Sequence, residues 1–158
     1  MKLIIMSGAP GSGKSTYAQK YWLQHKNNTI IVSRDEIRFS LVGENDLYFS
    51  KENEVLNIFY ETIVKKMRQG FDVIADATHL TKKSRLTLIY NISRYISSFD
   101  VVVVSMLTDL ETCFERNEQR SGRSVVPRSA LRRMYYSMTD PKDDDYFYKE
   151  IIYVGDKT

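Results

Sequence analysis

The feature that most constrains this 158-residue chain is the segment Gly-Ala-Pro-Gly-Ser-Gly-Lys-Ser at residues 8–15, which fits G-x-x-x-x-G-K-[ST] at every fixed position. An apolar run precedes the segment at Lys2–Ser7, and a helical pattern begins at Lys14. The glycines let the backbone turn, so that its N–H groups and the following helix N-terminus form a cradle for phosphate. The sequence therefore predicts a strand, a phosphate-binding loop and a helix in succession.

The residue types of this loop indicate what its side chains do. We expect Lys14 to reach the β- and γ-phosphates of a nucleoside triphosphate such as ATP, and Ser15 to offer its hydroxyl to Mg²⁺. The other residues expected to contact the nucleotide are Gly8, Ala9, Pro10, Gly11, Ser12, Gly13 and Thr16. The alternative, a glycine-rich turn with no special role, is disfavoured by the predicted strand and helix on either side.

Short apolar runs alternate with longer helical periods along the whole chain. The predicted strands are Lys2–Ser7, Thr29–Ser33, Asp72–Asp76, residues 100–107 and Glu150–Val154. The predicted helices are Lys14–His25, Arg34–Leu41 and residues 51–69, 81–98, 109–119 and 127–138. This order predicts one domain over residues 1–158 with a three-layer α/β P-loop NTPase fold. About five parallel strands carry helices on both faces, and a helical lid covers residues 116–127.

Composition excludes several classes of protein. Hydrophobic residues are 42% and charged residues 27%, which is typical of a folded domain and excludes bulk disorder. The apolar runs are too short to cross a bilayer, so we expect no membrane partner and a cytoplasmic location. The single cysteine, Cys113, is expected to be a small buried hydrophobe, and the sequence has no Cys/His cluster for zinc. The net charge of +3 permits a nucleic-acid partner without arguing for one.

Charged side chains follow the second predicted strand, where ligands of open α/β sheets bind. Asp35 and Arg38 are three residues apart and share one face of the predicted helix. The carboxylate is suited to take a proton from an acceptor hydroxyl, and the guanidinium is suited to bind an acceptor phosphate. Spacing alone also fits a capping carboxylate with a surface ion pair.

The third predicted strand ends on Asp76, which resembles a Walker B carboxylate that holds Mg²⁺. Ala77 follows it in place of the glutamate of many motor ATPases, and the chain has no Asn-Lys-x-Asp motif of switch GTPases. His79 is more often a satisfied polar residue than a catalyst. A basic cluster of Lys82, Lys83 and Arg85 opens the next helix, and we expect a solvated face there.

Two arginines, Arg116 and Arg120, are four apart on one helical face before a break at residues 121–124. Arginines on a lid are suited to close over a nucleotide and neutralise charge in the transition state. Without the phosphate-binding loop, a basic solvated helix would explain them as well. The acidic run at residues 140–145 is expected to be a solvated turn.

With these residues in place, the chain resembles the kinase domain of the phage-type polynucleotide 5′-hydroxyl kinases over about residues 1–154. The matching segments are residues 8–15, Arg34-Asp35 with Arg38, Asp76-Ala-Thr at 76–78, Glu115-Arg-Asn with Arg120, Val126-Pro127 and Leu131-Arg-Arg-Met at 131–134. Members of that family transfer the γ-phosphate of a nucleoside triphosphate to the 5′-hydroxyl of DNA or RNA.

The resemblance implies roles for individual residues. Asp35 would be the general base, Arg38 would hold the acceptor's first 3′-side phosphate, and Arg120 with Arg116 would clamp the donor phosphates. The implied catalytic set is Lys14, Asp35, Arg38 and Arg120. The implied acceptor site is Arg34, Asp35, Arg38, Thr78 and His79, and the implied metal ligands are Ser15 and Asp76. Many relatives carry asparagine where His79 stands, and no 3′-end processing module is expected in this chain.

Two other functions use the same loop. A small-molecule kinase acting on a sugar, nucleoside or antibiotic would keep Lys14, Asp35 and Asp76 and would use Arg38 for a different anion. A regulatory module that binds triphosphate to switch a partner needs no general base, so Asp35 argues against it. DNA or RNA preference, ATP or GTP preference and oligomeric state are not determined by the sequence.

Overall fold

The computed structural model describes residues 1–155, apart from the side chain of Arg123. All five strands of its one sheet are parallel and lie in the order β2-β3-β1-β4-β5. The strands are β1 (Lys2–Ser7), β2 (Thr29–Ser33), β3 (Asp72–Asp76), β4 (Asp100–Met106) and β5 (Glu150–Val154). The helices are α1 (Lys14–His25), α2 (Arg34–Leu41), α3 (Glu52–Arg68), α4 (Lys82–Ser93), α5 (Leu110–Glu118) and α6 (Arg128–Ser137). The predicted three-layer α/β fold is confirmed.

The central strand β1 explains why its sequence is a continuous apolar run. Strand side chains alternate between the two faces of a sheet, so both faces of β1 must be covered. Leu3 and Ile5 pack with α3 and α4 on one face. Ile4 and Met6 pack with α1 on the other. All four side chains are essentially inaccessible to water.

The largest difference from the sequence prediction is the end of α4. The helical pattern predicts a helix to residue 98, but α4 ends at Ser93 and Arg94 caps it. Ile96 is buried in the core and Phe99 packs against the same cluster. The chain must leave the helix to bring both side chains inward before β4 begins.

The register of the strands assembles the candidate site at one edge of the sheet. Ser33 at the end of β2 pairs with Asp76 at the end of β3, and β1 lies on the other side of β3. The residues that follow these three strands are the phosphate-binding loop, the start of α2 and the segment 77–81. None of the helices in residues 1–155 is long and apolar enough to span a membrane.

Candidate active site

The phosphate-binding loop is shaped by close backbone approaches. Gly11 has φ +80°, and a Cβ at this position would lie 2.5 Å from the carbonyl oxygen of Cys113. Glycine is therefore required there by both conformation and space. The Gly8 amide donates to the Thr78 carbonyl oxygen at 2.9 Å, and Thr108 Oγ1 donates to the Ser12 carbonyl oxygen at 2.7 Å. These bonds fix the loop to the segments that follow β3 and β4, the two strands that flank β1.

Lys14 lies within the loop, where its ammonium group is partly shielded from water. Its Nζ donates to the Ala9 carbonyl oxygen at 2.9 Å. Burial lowers the pKa of Lys14 to about 8, opposed by the nearby carboxylates of Asp76 and Asp35 and assisted by the Arg120 cation. Groups from three separate segments thus converge on this amine, as expected for a residue that meets the charge of a phosphate.

Ser15 and Asp76 form the candidate metal site. The Ser15 hydroxyl donates to Asp76 Oδ2 at 3.0 Å, and burial raises the pKa of Asp76, opposed by that bond and by Lys14. Mg²⁺ is usually held by one or two protein oxygens together with phosphates and water. One hydroxyl and one carboxylate beside a phosphate cradle fit that donor set. No group of three or more His, Cys, Asp or Glu side chains in residues 1–155 forms a denser metal cluster.

Asp35 and Arg38 meet in the structure, together with two groups that the sequence analysis missed. Arg38 Nη1 donates to Asp35 Oδ1 and, at 2.9 Å, to the Tyr48 hydroxyl oxygen. The Tyr48 hydroxyl donates to the same Asp35 oxygen at 3.0 Å. Glu52 accepts from Arg38 Nε and Nη2 at 3.0 and 2.8 Å. No local sequence pattern ties Tyr48 or Glu52 to α2, because the loop before α3 brings them there.

The two members of the Asp35–Arg38 pair differ sharply in accessibility. The Asp35 side chain is 60% exposed, whereas that of Arg38 is 5% exposed. Asp35 therefore presents an open carboxylate edge beside the phosphate-binding loop, as a general base requires. Arg38 is already bound by two carboxylates. An acceptor phosphate would therefore compete with Glu52 for the Nε and Nη2 donors of Arg38.

Arg34 and Thr78 follow the neighbouring strands β2 and β3 at the carboxyl end of the sheet. The Arg34 guanidinium stands over the Phe59 ring, with its carbon 5.8 Å from the ring centroid. Burial lowers the pKa of Arg34, and the neighbouring Arg38 lowers it further. Thr78 is partly buried and contributes its carbonyl oxygen to the loop. Their predicted contacts with an acceptor stay predictions.

His79 is in a different place from the one the resemblance implies. It is 3% exposed, its Nδ1 lies 3.1 Å from the Met6 carbonyl oxygen, and its ring stacks on Phe59. Burial lowers the pKa of His79 to about 3, so the ring stays neutral near pH 7. The expected acceptor contact is therefore corrected: this histidine is an interior residue that shapes the turn after β3, where its φ is +36°.

At the start of α4, Lys82 and Lys83 lie at the surface as expected, but Arg85 does not. It is fully buried and donates to Asp144 from Nε and Nη2 at 2.6 and 2.8 Å. Its Nη1 also donates to the carbonyl oxygens of His79 and Leu80, both at 3.1 Å. The sequence held one signal, because Arg85 falls on the helical period of the buried residues Leu88, Ile89 and Ile92.

The acidic run at residues 140–145 is likewise corrected. Asp144 is 1% exposed and receives the Tyr148 hydroxyl at 2.7 Å in addition to Arg85. Only its neighbours behave as a solvated turn; Asp145, for example, forms an exposed ion pair with Lys82. A buried carboxylate in this run was not readable from three consecutive aspartates.

The lid residues lie where the sequence places them, after β4. Arg116 on α5 points Nη1 toward the Gly11 carbonyl oxygen at 3.4 Å. Arg120 is exposed just beyond α5, and its charge acts on Lys14. Asn117 stands in the matching segment, but its structural role was not predicted: it is 2% exposed, its Nδ2 donates to the Val126 carbonyl oxygen, and its Oδ1 accepts from the Val126 N–H. These bonds fasten the far end of the lid to α5. Cys113 is buried beside it, as predicted.

Comparisons with known proteins give one family model and several relatives of low sequence identity. A family model described as AAA domain matches residues 3–141. The chain is 25% identical, over 174 aligned positions, to a bifunctional polynucleotide kinase/RNA ligase of Autographa californica nuclear polyhedrosis virus, covering 99% of this chain and 23% of that protein. It is 27% identical over 142 positions to the L-seryl-tRNA(Sec) kinase of Methanococcus maripaludis, covering 88% of this chain and 53% of that one. The chain thus spans about a quarter and about half of these two relatives.

Solved structures agree with the fold. A chain in the Pnkp1/Rnl/Hen1 RNA repair complex superposes with a TM-score of 0.73 at 25% identity, covering 86% of this chain and 43% of that chain. A kinase from Chloroflexus aurantiacus superposes with a TM-score of 0.76 at 17% identity, covering 97% and 84%. A gluconokinase from Sinorhizobium meliloti reaches 0.60 at 18% identity, covering 97% and 81%. The last two likenesses concern the fold alone.

Proposed function

The chain belongs to the AAA domain family in its P-loop kinase form, and on that premise we propose that it is a polynucleotide 5′-hydroxyl kinase. It transfers the γ-phosphate of ATP or another nucleoside triphosphate to the 5′-OH end of DNA or RNA. A cytoplasmic setting, where ATP is available, is part of the proposal. The two relatives whose names include a polynucleotide kinase or an RNA repair complex support a nucleic-acid acceptor.

The observation that carries the proposal is the position of the Asp35 carboxylate. It is 60% exposed, it is oriented by Arg38 and Tyr48, and its charge acts on Lys14 in the phosphate cradle. A carboxylate with this combination can take a proton from a hydroxyl that approaches the γ-phosphate. A nucleotide-dependent switch needs no such group.

The transfer is a single in-line displacement. The acceptor oxygen forms a bond to the γ-phosphorus, its proton passes to the Asp35 carboxylate, and the bond to the β–γ bridging oxygen breaks to release the diphosphate. Lys14, Arg116 and Arg120 neutralise the charge on the transferred group and the leaving phosphates. Mg²⁺ held at Ser15 and Asp76 would supply further charge neutralisation at the phosphates.

The direct test is transfer of label from γ-³²P ATP, with Mg²⁺, to a 5′-hydroxyl oligonucleotide. A 5′-phosphorylated oligonucleotide of the same sequence is the control, because it lacks the acceptor hydroxyl. Label on the first and not on the second is the expected result. Intact ATP binding without label on DNA or RNA would contradict the proposal.

A small-molecule kinase is the second candidate, and the pairing of Arg38 favours it. Because Glu52 occupies two nitrogens of Arg38, the site as it stands offers a carboxylate–hydroxyl environment to a neutral acceptor. Arg38→Ala separates the two functions. A raised KM for an oligonucleotide, with ATP affinity unchanged, supports the phosphate-binding role, whereas lost ATP affinity contradicts it.

A further inference from the structure

A basic cleft between α3 and α4 has no part in the chemistry described above. Its volume is about 630 Å³. The side chains that line it are Asn57, Tyr60, Glu61, Val64, Lys65, Arg68, Gln69, Asn91, Arg94 and Tyr95. Three are cations, one is an anion, and most of the others are amides and phenols. The cleft is therefore lined mainly by polar side chains and carries a net positive charge.

The cleft contains an exposed aromatic ring that two arginine side chains approach. Tyr95 is 56% exposed, and the guanidinium carbons of Arg68 and Arg94 lie 6.0 and 5.7 Å from its ring centroid. Within the described residues, neither arginine forms an ion pair with a carboxylate. Both guanidinium groups lie over this ring, so an incoming base would stack on Tyr95 in place of one arginine, and the displaced guanidinium could then bind an adjoining phosphate.

Helix dipoles explain these cations only in part. Lys65 and Arg68 lie in the last turn of α3, and Arg94 caps α4, so each interacts favourably with a helix C-terminus. The dipoles do not explain why cations from two helices converge on one exposed ring. Like charges so placed repel one another, and an anionic ligand would relieve that repulsion.

Helix α3 connects the candidate acceptor site to the cleft. Helix α3 begins at Glu52, which is bonded to Arg38, and runs to Arg68 over ~24 Å at 1.5 Å per residue. Tyr60 lines the cleft midway, and the charge of Arg34 acts on its hydroxyl. A strand whose 5′ end lies at Asp35 can thus follow α3 away from the loop.

We propose that this cleft binds the single-stranded part of the acceptor nucleic acid on the 3′ side of the reacting nucleotide. The 5′-to-3′ direction of the bound strand rests on the proposed function, because the 5′ end must lie at Asp35. The occupant is recognised by its phosphates, which meet Lys65, Arg68 and Arg94, and by a base that stacks on Tyr95. Val64 is the only aliphatic side chain that lines the cleft, and it is 7% exposed. The cleft therefore offers little aliphatic surface to a folded protein partner.

The test compares a double variant, Arg68→Ala with Arg94→Ala, against a control with the same change in charge. The control, Lys20→Ala with Lys26→Ala, removes two exposed lysines from α1 and the residue after it, on the opposite face of the sheet. Binding is measured by fluorescence anisotropy of a 3′-fluorescein single strand of about 16 nucleotides, within the range of known single-strand sites. KM is measured in parallel for that strand and for a 5′-hydroxyl dinucleotide.

The double variant is expected to bind the long strand about tenfold more weakly, and to lose about 1.4 from the slope of log affinity against log salt. Its KM for the dinucleotide and its kcat should match wild type. Tyr95→Ala should weaken the long strand about tenfold, and Tyr95→Phe should restore it, because the phenyl ring still stacks. The lysine control should stay near wild type.

The outcomes separate this inference from the proposed function. If the double variant keeps normal kinase activity and binds the long strand as the wild type does, the proposed binding role of the cleft is wrong. The proposed kinase function is then unaffected. Equal losses in the double variant and the lysine control also overturn it, because they indicate only net charge. Salt-dependent binding lost in the double variant, without label transfer to any strand, supports the cleft and overturns the kinase.

Discussion

Two arginines of this protein are buried among carboxylates, yet their surroundings differ in kind. Arg85 and its partner Asp144 are 0% and 1% exposed, and the guanidinium also donates to backbone carbonyls that cannot move away. The Arg38 side chain is also largely buried, at 5% exposed, but its partners Asp35 and Glu52 have side chains that are 60% and 27% exposed. The first network is closed to every ligand, and the second borders solvent at the strand ends.

The difference shows that burial of a charge does not by itself identify a functional site. A buried ion pair is destabilising to break, whatever its role. What distinguishes the Arg38 cluster is that one of its carboxylates keeps a free edge and lies beside Lys14. The Arg85 network instead supports that site from below, because it holds the segment 79–80 that follows Asp76.

The largest expected effect is on turnover at the open cluster. Asp35→Asn should lower kcat by about 10²–10⁴-fold, because the proton acceptor is lost, with nucleotide affinity preserved. Glu36→Gln is the matched control, since it removes an exposed carboxylate from the next position of α2. Steady-state kinetics with a 5′-hydroxyl oligonucleotide measures both. Collapse of nucleotide affinity in Asp35→Asn would make this residue structural or metal-bound.

Disrupting the buried network of Arg85 and Asp144 should lower the stability of the folded protein. Arg85→Ala should lower the free energy of unfolding by about 3–5 kcal/mol, because Asp144 is left buried without a cation. Urea denaturation followed by circular dichroism measures the change. Lys82→Ala, which breaks the exposed ion pair with Asp145, should leave the urea midpoint unchanged. Equal shifts in the two variants would remove the contrast between closed and exposed pairs.

Lys14 should make nucleotide affinity depend on pH. Because the pKa of Lys14 is about 8, the amine is mostly charged at pH 7 and mostly neutral at pH 9. Affinity for ATP should therefore fall about tenfold as pH rises from 7 to 9. Titration calorimetry across that range measures the fall, and Lys14→Arg, whose charge does not titrate there, should show a flat profile. A flat profile in the wild type would contradict this reading of Lys14.

The smallest effect tests the orientation of Asp35. Tyr48→Phe removes the hydroxyl that donates to Asp35 and keeps the ring, so kcat should fall about fivefold, equivalent to ~1 kcal/mol. Burial, with help from Asp35, raises the pKa of Tyr48 to about 12, so the wild-type hydroxyl remains a donor at all working pH values. The pH profile of kcat should keep its shape in the variant. An unchanged kcat would mean that Arg38 alone orients the carboxylate.

Much of the fold was readable from the sequence, because local patterns carry the physics of parallel sheets. Buried strands are continuous apolar runs, and amphipathic helices repeat every three to four residues. All five predicted strands and all six predicted helices are present, with a five-residue overshoot at the end of α4. That end depends on Ile96 reaching a core built from distant segments, which periodicity does not record.

The candidate site divides in the same way. The sequence by itself determined the phosphate-binding loop, because its glycines, lysine and serine act within one short segment, and it placed Asp35 and Asp76 after strands that meet at one edge. Only the tertiary structure decided that Tyr48 and Glu52 bind Arg38, that His79 lies in the interior and that Arg85 pairs with Asp144 across 59 residues. Those outcomes depend on which side chains meet in space and exclude water, and no local spacing encodes such a meeting.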